Sequence, residues 1–101
     1  MRLGYNTNGF GSHRLLDAIE VVGRVGYQSL GLTIDHHALD PYGAHWREEL
    51  PRVREALDRW GLEVVIETGA RFLLDAHRKH HPTLLSASAR DREKRVDFLK
   101  R

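Results

Sequence analysis

The sequence contains no cysteine among its 101 residues, and this absence limits the chemistry open to it. It excludes a disulfide framework, a thiolate nucleophile and a cysteine-based zinc site. Long apolar runs are also missing, since none approaches the roughly 18 residues that a membrane-spanning helix needs. The first ten residues lack the apolar core of a secretory signal. We therefore expect a cytoplasmic protein in which only His, Asp or Glu side chains hold a metal.

Proline is scarce and no charge of one sign dominates. The chain has 3 prolines, 41% hydrophobic and 30% charged residues, which is the composition of a folded globular chain. The formal net charge is only +2, and acids and bases alternate along most of the sequence, so nucleic-acid binding is disfavoured. A chain of this length makes one domain, residues 1–101, without an internal boundary.

Three short apolar segments, each followed by turn residues, predict β-strands. They cover residues 3–6, 29–34 and 63–67. Two amphipathic stretches between them predict helices. One follows Ser12, which we expect to be its cap, and ends at Gly26. The other lies within residues 46–60, with Pro51 expected in its first turn. Strands alternating with helices in this way predict a parallel α/β sheet.

The segment after the third predicted strand, residues 68–88, is long and irregular. Loops of this length in compact domains are functional or disordered, and its apolar residues favour function. Those expected to anchor it are Phe72, Leu73, Leu84 and Leu85. A last helix is expected near Asp91, capped by Ser88, with Val96 and Leu99 turned inward.

In parallel α/β folds ligands bind at the carboxyl ends of the strands, which makes the polar residues there candidate site residues. These residues are Asn6, Asn8, Asp35, His36, His37, Asp40, Glu67, Thr68 and Arg71. Glu67 closes the strand "EVVIE", in which Val65 and Ile66 are expected to be buried, so its carboxylate needs a partner. Arg71, Lys79 or a metal would serve. An ion pair between Glu67 and Arg71 that only braces the loop is the competing interpretation.

Several histidines invite a metal-site interpretation. His36 and His37 in "TIDHHALD" are adjacent, and adjacent residues of extended chain point to opposite faces, so one of them alone is expected to face a ligand. We assign no metal ligand in this segment, although His37 is a candidate. The basic stretch "HRKHHPTLL" matches no defined zinc spacing, and within it Lys79 is the expected anion contact.

Two short motifs point to other functions and both are incomplete. The sequence "NGFGSHR" has two glycines of a dinucleotide-binding fingerprint, with Arg14 in place of the third. The sequence "DHH" resembles one motif of the DHH phosphoesterases, but the aspartate-rich motif that should precede it is absent from residues 1–16. A turn between strand and helix explains the first, and a polar strand tip explains the second.

The segments "RLGYNTNGF", "LTIDHHALDP", "VVIETGARFLLD" and "KHHPTLLS" together resemble the N-terminal part of the xylose-isomerase-like TIM-barrel superfamily, the sugar phosphate isomerases and epimerases. The resemblance implies a partial (β/α)₈ barrel, the first three β-α units of a fold that takes about 250 residues. It implies metal-dependent proton transfer on a sugar or sugar phosphate, with the divalent metal held by residues on later strands. The catalytic residues are unknown from these 101 residues, and a fragment alone is expected to be inactive.

By position at strand ends, the resemblance implies that Asn6, His36 and Glu67 shape the substrate pocket. Arg71 and Lys79 join them as expected substrate contacts. Two alternatives remain open. One is a non-catalytic binding or assembly module, whose open strand edges would favour a homo-oligomer. The other is a metal-dependent phosphoesterase of the endonuclease branch of the same superfamily.

Overall fold

The computed structural model describes residues 1–101 as three parallel strands and three α-helices. The strands are β1 (Gly4–Asn6), β2 (Ser29–Thr33) and β3 (Glu63–Glu67), and the helices are α1 (Leu15–Val25), α2 (Trp46–Arg59) and α3 (Ala89–Lys100). A short 3₁₀ helix, Thr7–Phe10, follows β1. The predicted parallel α/β fold is confirmed at this level.

The sheet has the order β1-β2-β3, with both pairs parallel. Asn6 lies beside Gly31, and Thr33 lies beside Glu67. Because side chains alternate between the two faces of a strand, this register puts Asn6, Thr33 and Glu67 on the same face. All three lie at the carboxyl ends of their strands.

The main core lies on the opposite face of the sheet, where β2 is covered by two helices. Its fully buried residues include Leu30 and Leu32 of β2 and Ile19 and Val22 of α1. From α2, Val53 is buried with them. Apolar residues at helical spacing in α1 and alternate residues in β2 therefore meet as the sequence pattern predicted.

Helix α2 lies within the predicted residues 46–60, but the predicted cap of α1 and the predicted place of Pro51 in α2 are both wrong. Helix α1 begins at Leu15, and Arg14 occupies the cap position without a side-chain hydrogen bond, so the prediction that Ser12 caps it is wrong. Helix α2 begins at Trp46, which puts Pro51 in its second turn instead of the first. Proline lacks an N–H, so the carbonyl of Arg47, four residues earlier, loses its usual helical donor there. The exposed position of Pro51 leaves that carbonyl open to water.

Helix α3 packs on the irregular segment and forms a second, smaller cluster. Phe98 is buried there against Ala70 and Leu74. Ser88 caps α3 by accepting a hydrogen bond from the Asp91 N–H, as predicted. The expectation that Val96 and Leu99 face inward is wrong, because Phe98 takes the inward position and leaves both exposed.

Two other burial predictions are wrong for a common reason, which is that no element covers the residues concerned. Val65 and Ile66 of β3 are 68% and 51% exposed, because neither face of this edge strand is covered: Ile66 lies on the helix face beyond α1 and α2, and Val65 lies on the opposite face with Glu67. Of the expected loop anchors, Leu73 packs against the Phe98 cluster in a partly buried position, whereas Phe72, Leu84 and Leu85 are exposed and Leu74 takes the main anchoring role. No helix is long and apolar enough to cross a membrane.

Candidate functional site

The carboxylate of Glu67 is the centre of a polar cluster at the carboxyl end of the sheet. Its Oε2 atom accepts hydrogen bonds from Asn6 Nδ2 at 2.8 Å and from Asn8 Nδ2 at 3.2 Å. The hydroxyl of Thr33 donates a third, short hydrogen bond to the same oxygen. Oε1, by contrast, takes part in no hydrogen bond or ion pair with the rest of the chain. Glu67 therefore presents one oxygen fixed by protein donors and one free to accept a hydrogen bond from a ligand.

Gly31 makes the contact between the first and third strands possible. Asn6 lies on β1 and Glu67 on β3, so the Asn6 side chain has to cross β2 to reach the carboxylate. A Cβ at position 31 would come within 2.9 Å of Asn6 Nδ2. Because glycine has no side chain, the Asn6 amide can lie over the backbone of β2 at this position.

Thr33 joins the cluster to the buried part of the fold. Its side chain is nearly inaccessible, and its backbone N–H donates to Thr7 Oγ1 at 3.0 Å. Its hydroxyl also lies 3.0 Å from Asn6 Oδ1, an atom that accepts the backbone N–H of Asn8 at 2.7 Å. Since a hydroxyl has one proton, the bond to the charged carboxylate takes it. These partners fix the orientation of the donors around Glu67.

The same donors keep Glu67 ionised. The pKa of its carboxyl group is lowered from the ordinary value, chiefly by the hydrogen bonds from Thr33 and Asn6, with smaller attractions from His80 and Arg71. Partial burial acts in the opposite direction and is outweighed. At neutral pH the cluster therefore holds a carboxylate, which is a hydrogen-bond acceptor and a poor acid.

Arg71 lies beside this carboxylate without pairing with it. Its Nη1 atom is 3.3 Å from Asn8 Oδ1 and 3.8 Å from the carboxylate of the buried Asp35. The interpretation of Glu67 and Arg71 as a simple ion pair bracing the loop does not describe this geometry. Arg71 instead reaches Glu67 through Asn8, and it connects the ends of β2 and β3 through Asp35.

The "TIDHHALD" segment is a tight turn with its two histidines at the tip. Asp35 and Ala38 pair across the turn, and His36 and His37 between them are exposed. His36 Nδ1 lies 3.6 Å from Asp40 Oδ2. Neither histidine forms a hydrogen bond or ion pair with the Glu67 cluster. The structure brings Asn6, Glu67 and Arg71 together and leaves His36 and His37 outside.

Lys79, the expected anion contact, is exposed and makes no ion pair with the chain. Next to it, Asp75 accepts hydrogen bonds from the backbone of His77 and Arg78 and from the Arg78 side chain. These bonds lower the pKa of Asp75 to about 2, so the acid of this basic stretch stabilises a local turn. Pro82 is buried but Leu85 beside it is almost fully exposed, so Leu84 and Leu85 do not fix this loop.

Thr33 was absent from the residues that the sequence nominated. Its signal was available, since Thr33 is the one polar side chain within the apolar run 30–34 that predicted the second strand. Asn8 was nominated only by its place after the first strand, and the structure gives it contacts to both Glu67 and Arg71.

No group of three or more His, Asp or Glu side chains is arranged to hold a metal ion. The residues of the cluster are chiefly amides, a hydroxyl and one carboxylate, a set suited to binding hydroxyl groups rather than to enclosing a cation. No family model, curated protein or solved structure matches the chain.

Proposed function

We propose that this chain is the N-terminal part of a (β/α)₈ barrel enzyme of the sugar isomerase and epimerase type, located in the cytoplasm. Its ligand is a small sugar or sugar phosphate, and the Glu67 cluster binds hydroxyl groups of that ligand. The proposal rests on the sequence resemblance and on one structural observation, which is the three-donor arrangement around a carboxylate whose second oxygen is free.

That arrangement is well suited to a polyhydroxylated ligand. An ionised carboxylate accepts hydrogen bonds from hydroxyl groups, and hydrogen bonds to charged groups are stronger than neutral ones. Because Asn6, Asn8 and Thr33 occupy Oε2, the carboxylate is held in position before a ligand arrives. The guanidinium of Arg71 adds positive charge nearby, which favours a phosphate or a developing negative charge.

The uncovered strand β3 supports the barrel part of the proposal. Val64 and Ile66 share the face of the sheet on which α1 and α2 pack, yet they are 42% and 51% exposed. In a complete barrel a fourth strand pairs with the open edge of β3 and a following helix covers this face. An apolar edge strand without such cover exposes a surface that favours association.

In this proposal a divalent metal would be held by residues on later strands and would supply polarisation of the sugar carbonyl or hydroxyl. The residues of the present chain bind and orient the substrate. Glu67 Oε1 accepts one substrate hydroxyl, Asn6 and Thr33 keep the carboxylate ionised and fixed, and Arg71 attracts an anionic group. Water is displaced from the carboxylate when the substrate hydroxyl binds.

The test is turnover by the natural full-length polypeptide on a panel of aldoses, ketoses and their phosphates, with and without added divalent metal. Glu67→Gln, which removes the charge and keeps the shape, should lower kcat/KM by at least about tenfold, the value of one charge-assisted hydrogen bond. Glu63→Gln, at the other end of the same strand, is the matched control and should leave turnover unchanged. No turnover of any sugar, or equal loss in both variants, would refute the proposal.

One observation favours the assembly module as a second candidate. Both outer edges of the sheet are open, and the apolar residues of β3 are exposed. If a second copy of the chain pairs through these edges, the mass of the assembly should increase with protein concentration. Analytical ultracentrifugation measures that mass. Metal-stimulated hydrolysis of a phosphodiester in the same turnover panel would instead favour the phosphoesterase branch.

A further inference from the structure

His80 lies close to the Glu67 cluster because the long segment after β3 folds back on its own start. The backbone N–H of His80 donates to the carbonyl of Arg71, and His80 Nδ1 lies 2.8 Å from the carbonyl oxygen of Gly69. A carbonyl oxygen is only an acceptor, so Nδ1 is the donor in this bond. In the neutral imidazole, Nε2 then carries the lone pair and is free to accept a hydrogen bond.

Gly69 separates the imidazole of His80 from the free oxygen of Glu67. A Cβ built on Gly69 would lie 3.5 Å from Glu67 Oε1, 3.4 Å from His80 Nδ1 and 3.5 Å from His80 Cε1. Both side chains therefore lie at contact distance from the same point, the imidazole with its Nδ1–Cε1 edge toward it, and the missing side chain of residue 69 leaves that point open.

The backbone that makes this arrangement is strained. Ala70, Arg71 and His80 have φ values of 62°, 30° and 66°, in the left-handed region that residues with a Cβ adopt at a cost. Ala70 is completely buried and its carbonyl accepts the Leu73 N–H, so packing holds the conformation. Strain of this kind concentrates at ligand sites, where it fixes side chains before binding.

We propose that Glu67 and His80 form a subsite for two hydroxyl groups on adjacent carbons, with Gly69 providing the space between them. Glu67 Oε1 accepts a hydrogen bond from one hydroxyl, and His80 Nε2, which is next to Cε1 in the ring, accepts a hydrogen bond from the neighbouring hydroxyl. The ligand class is a vicinal diol, which sugars present repeatedly. This subsite deepens the proposed function, on which it rests for its sugar substrate, and it adds His80 as a substrate-binding residue where the sequence had favoured Lys79.

The experiment is an NMR titration of the protein with cis-1,2-cyclohexanediol, followed at the ring nitrogens of His80 and the carboxyl carbon of Glu67. Cyclohexanol, which lacks the second hydroxyl, is the matched ligand. The diol should move both signals saturably and cyclohexanol should bind at least about tenfold more weakly, since one hydrogen bond to a site group is lost. Equal affinity for the two ligands, or no response at His80, would overturn the proposal.

Two variants and one matched control separate a ligand contact from a structural role. Gly69→Ala puts a methyl group between Glu67 and His80 at ordinary contact distance, so it should abolish the diol response with the melting temperature unchanged. Gly11→Ala, where an added Cβ meets nothing within 4 Å, should preserve the response. His80→Asn keeps a side-chain amide donor and tolerates positive φ, and it should fold and lose diol binding. Unchanged diol binding in Gly69→Ala would refute the subsite.

Failure of the subsite can be told apart from failure of the isomerase proposal. Diol binding at His80 with no turnover of any sugar by the natural polypeptide would leave the subsite standing and remove the isomerase assignment. Normal turnover that is insensitive to Gly69→Ala, with no diol response, would remove the subsite and leave the isomerase assignment.

Discussion

Replacing Thr33 with valine tests whether the hydroxyl donated to Glu67 stabilises the fold through charge. Valine has nearly the same shape but no proton to donate, and Thr33 is only 2% exposed, so water does not replace the lost hydroxyl easily. A hydrogen bond to a charged group contributes roughly 1.5–3 kcal/mol, and the partial exposure of Glu67 puts its bond near about 1.5 kcal/mol. For a domain of this size that is a drop in Tm of about 6–12 °C.

The pH dependence of this loss identifies its cause. The folded-state pKa of Glu67 is lowered from 4.5, so the stability it contributes is fully present above that value and is lost as the pH falls through the folded pKa. Thr33→Val raises the folded pKa toward the ordinary value. The difference in unfolding free energy between wild type and variant should therefore be largest above pH 4.5 and shrink in more acidic solution.

Denaturant unfolding at a series of pH values measures this difference, with Thr33→Ser as the control that retains the hydroxyl. A loss of equal size at every pH would mean that the cost comes from the buried packing of Thr33 and not from its bond to the carboxylate. That result would refute the account of Glu67 as a carboxylate held by its donors.

Two further outcomes follow from local geometry. Gly23→Ala puts a Cβ within 2.5 Å of the Trp60 ring, so overpacking should exceed the gain in helix propensity and lower the unfolding free energy by about 1 kcal/mol, measured by urea unfolding. A Trp60→Ala background, which removes both ring atoms at 2.5 Å and leaves only the Cβ at 2.8 Å, should reduce the loss, and an unchanged loss there would contradict the steric explanation. The Asp75 carboxyl should titrate by NMR near a pKa of about 2, and its Arg78→Gln variant should raise that pKa, whereas a midpoint at the ordinary value would disprove the turn described for it.

The parallel sheet and the two-helix core could be predicted because the apolar residues that recur at helical or strand spacing are the ones buried in the structure. Leu15, Ile19 and Val22 of α1 fall on one helical stripe, and all three are buried. The strand "SLGLT" is bounded by turn residues and flanked by strands on both sides, so its apolar run was a reliable sign of burial.

The same pattern misled the prediction for β3. The sequence "EVVIE" contains an apolar run like that of β2. Whether a strand is buried, however, depends on which other elements cover it, and the residues of the strand itself do not determine this. Likewise Pro51 follows a residue pattern that allows several helix starts, and the choice of Trp46 depends on packing by Val53 and Leu57. In α3, three apolar residues of the last turns compete for one inward position, and the shape of the Ala70 and Leu74 surface selects Phe98.

The candidate site was predictable in its location and only partly in its members. Polar residues at strand ends pointed to Asn6, Glu67 and Arg71, because strands of a parallel sheet end at a common edge. The participation of Thr33 depends on register, and that of His80 depends on how a segment of irregular backbone returns to the sheet. Neither the strand register nor the path of the irregular segment produces a repeating pattern of residues that could be recognised in the sequence.

The dependence on register makes Glu67 a natural probe of strand alignment. A slip of β3 by one residue would turn Glu67 to the helix-covered face and bring Ile66 or Thr68 beside Thr33. All three donors would then lose their acceptor, and the carboxyl group would return to the pKa of an unfolded chain. The titration of one side chain therefore reports whether three strands, separated by about sixty residues of sequence, have assembled in their native alignment.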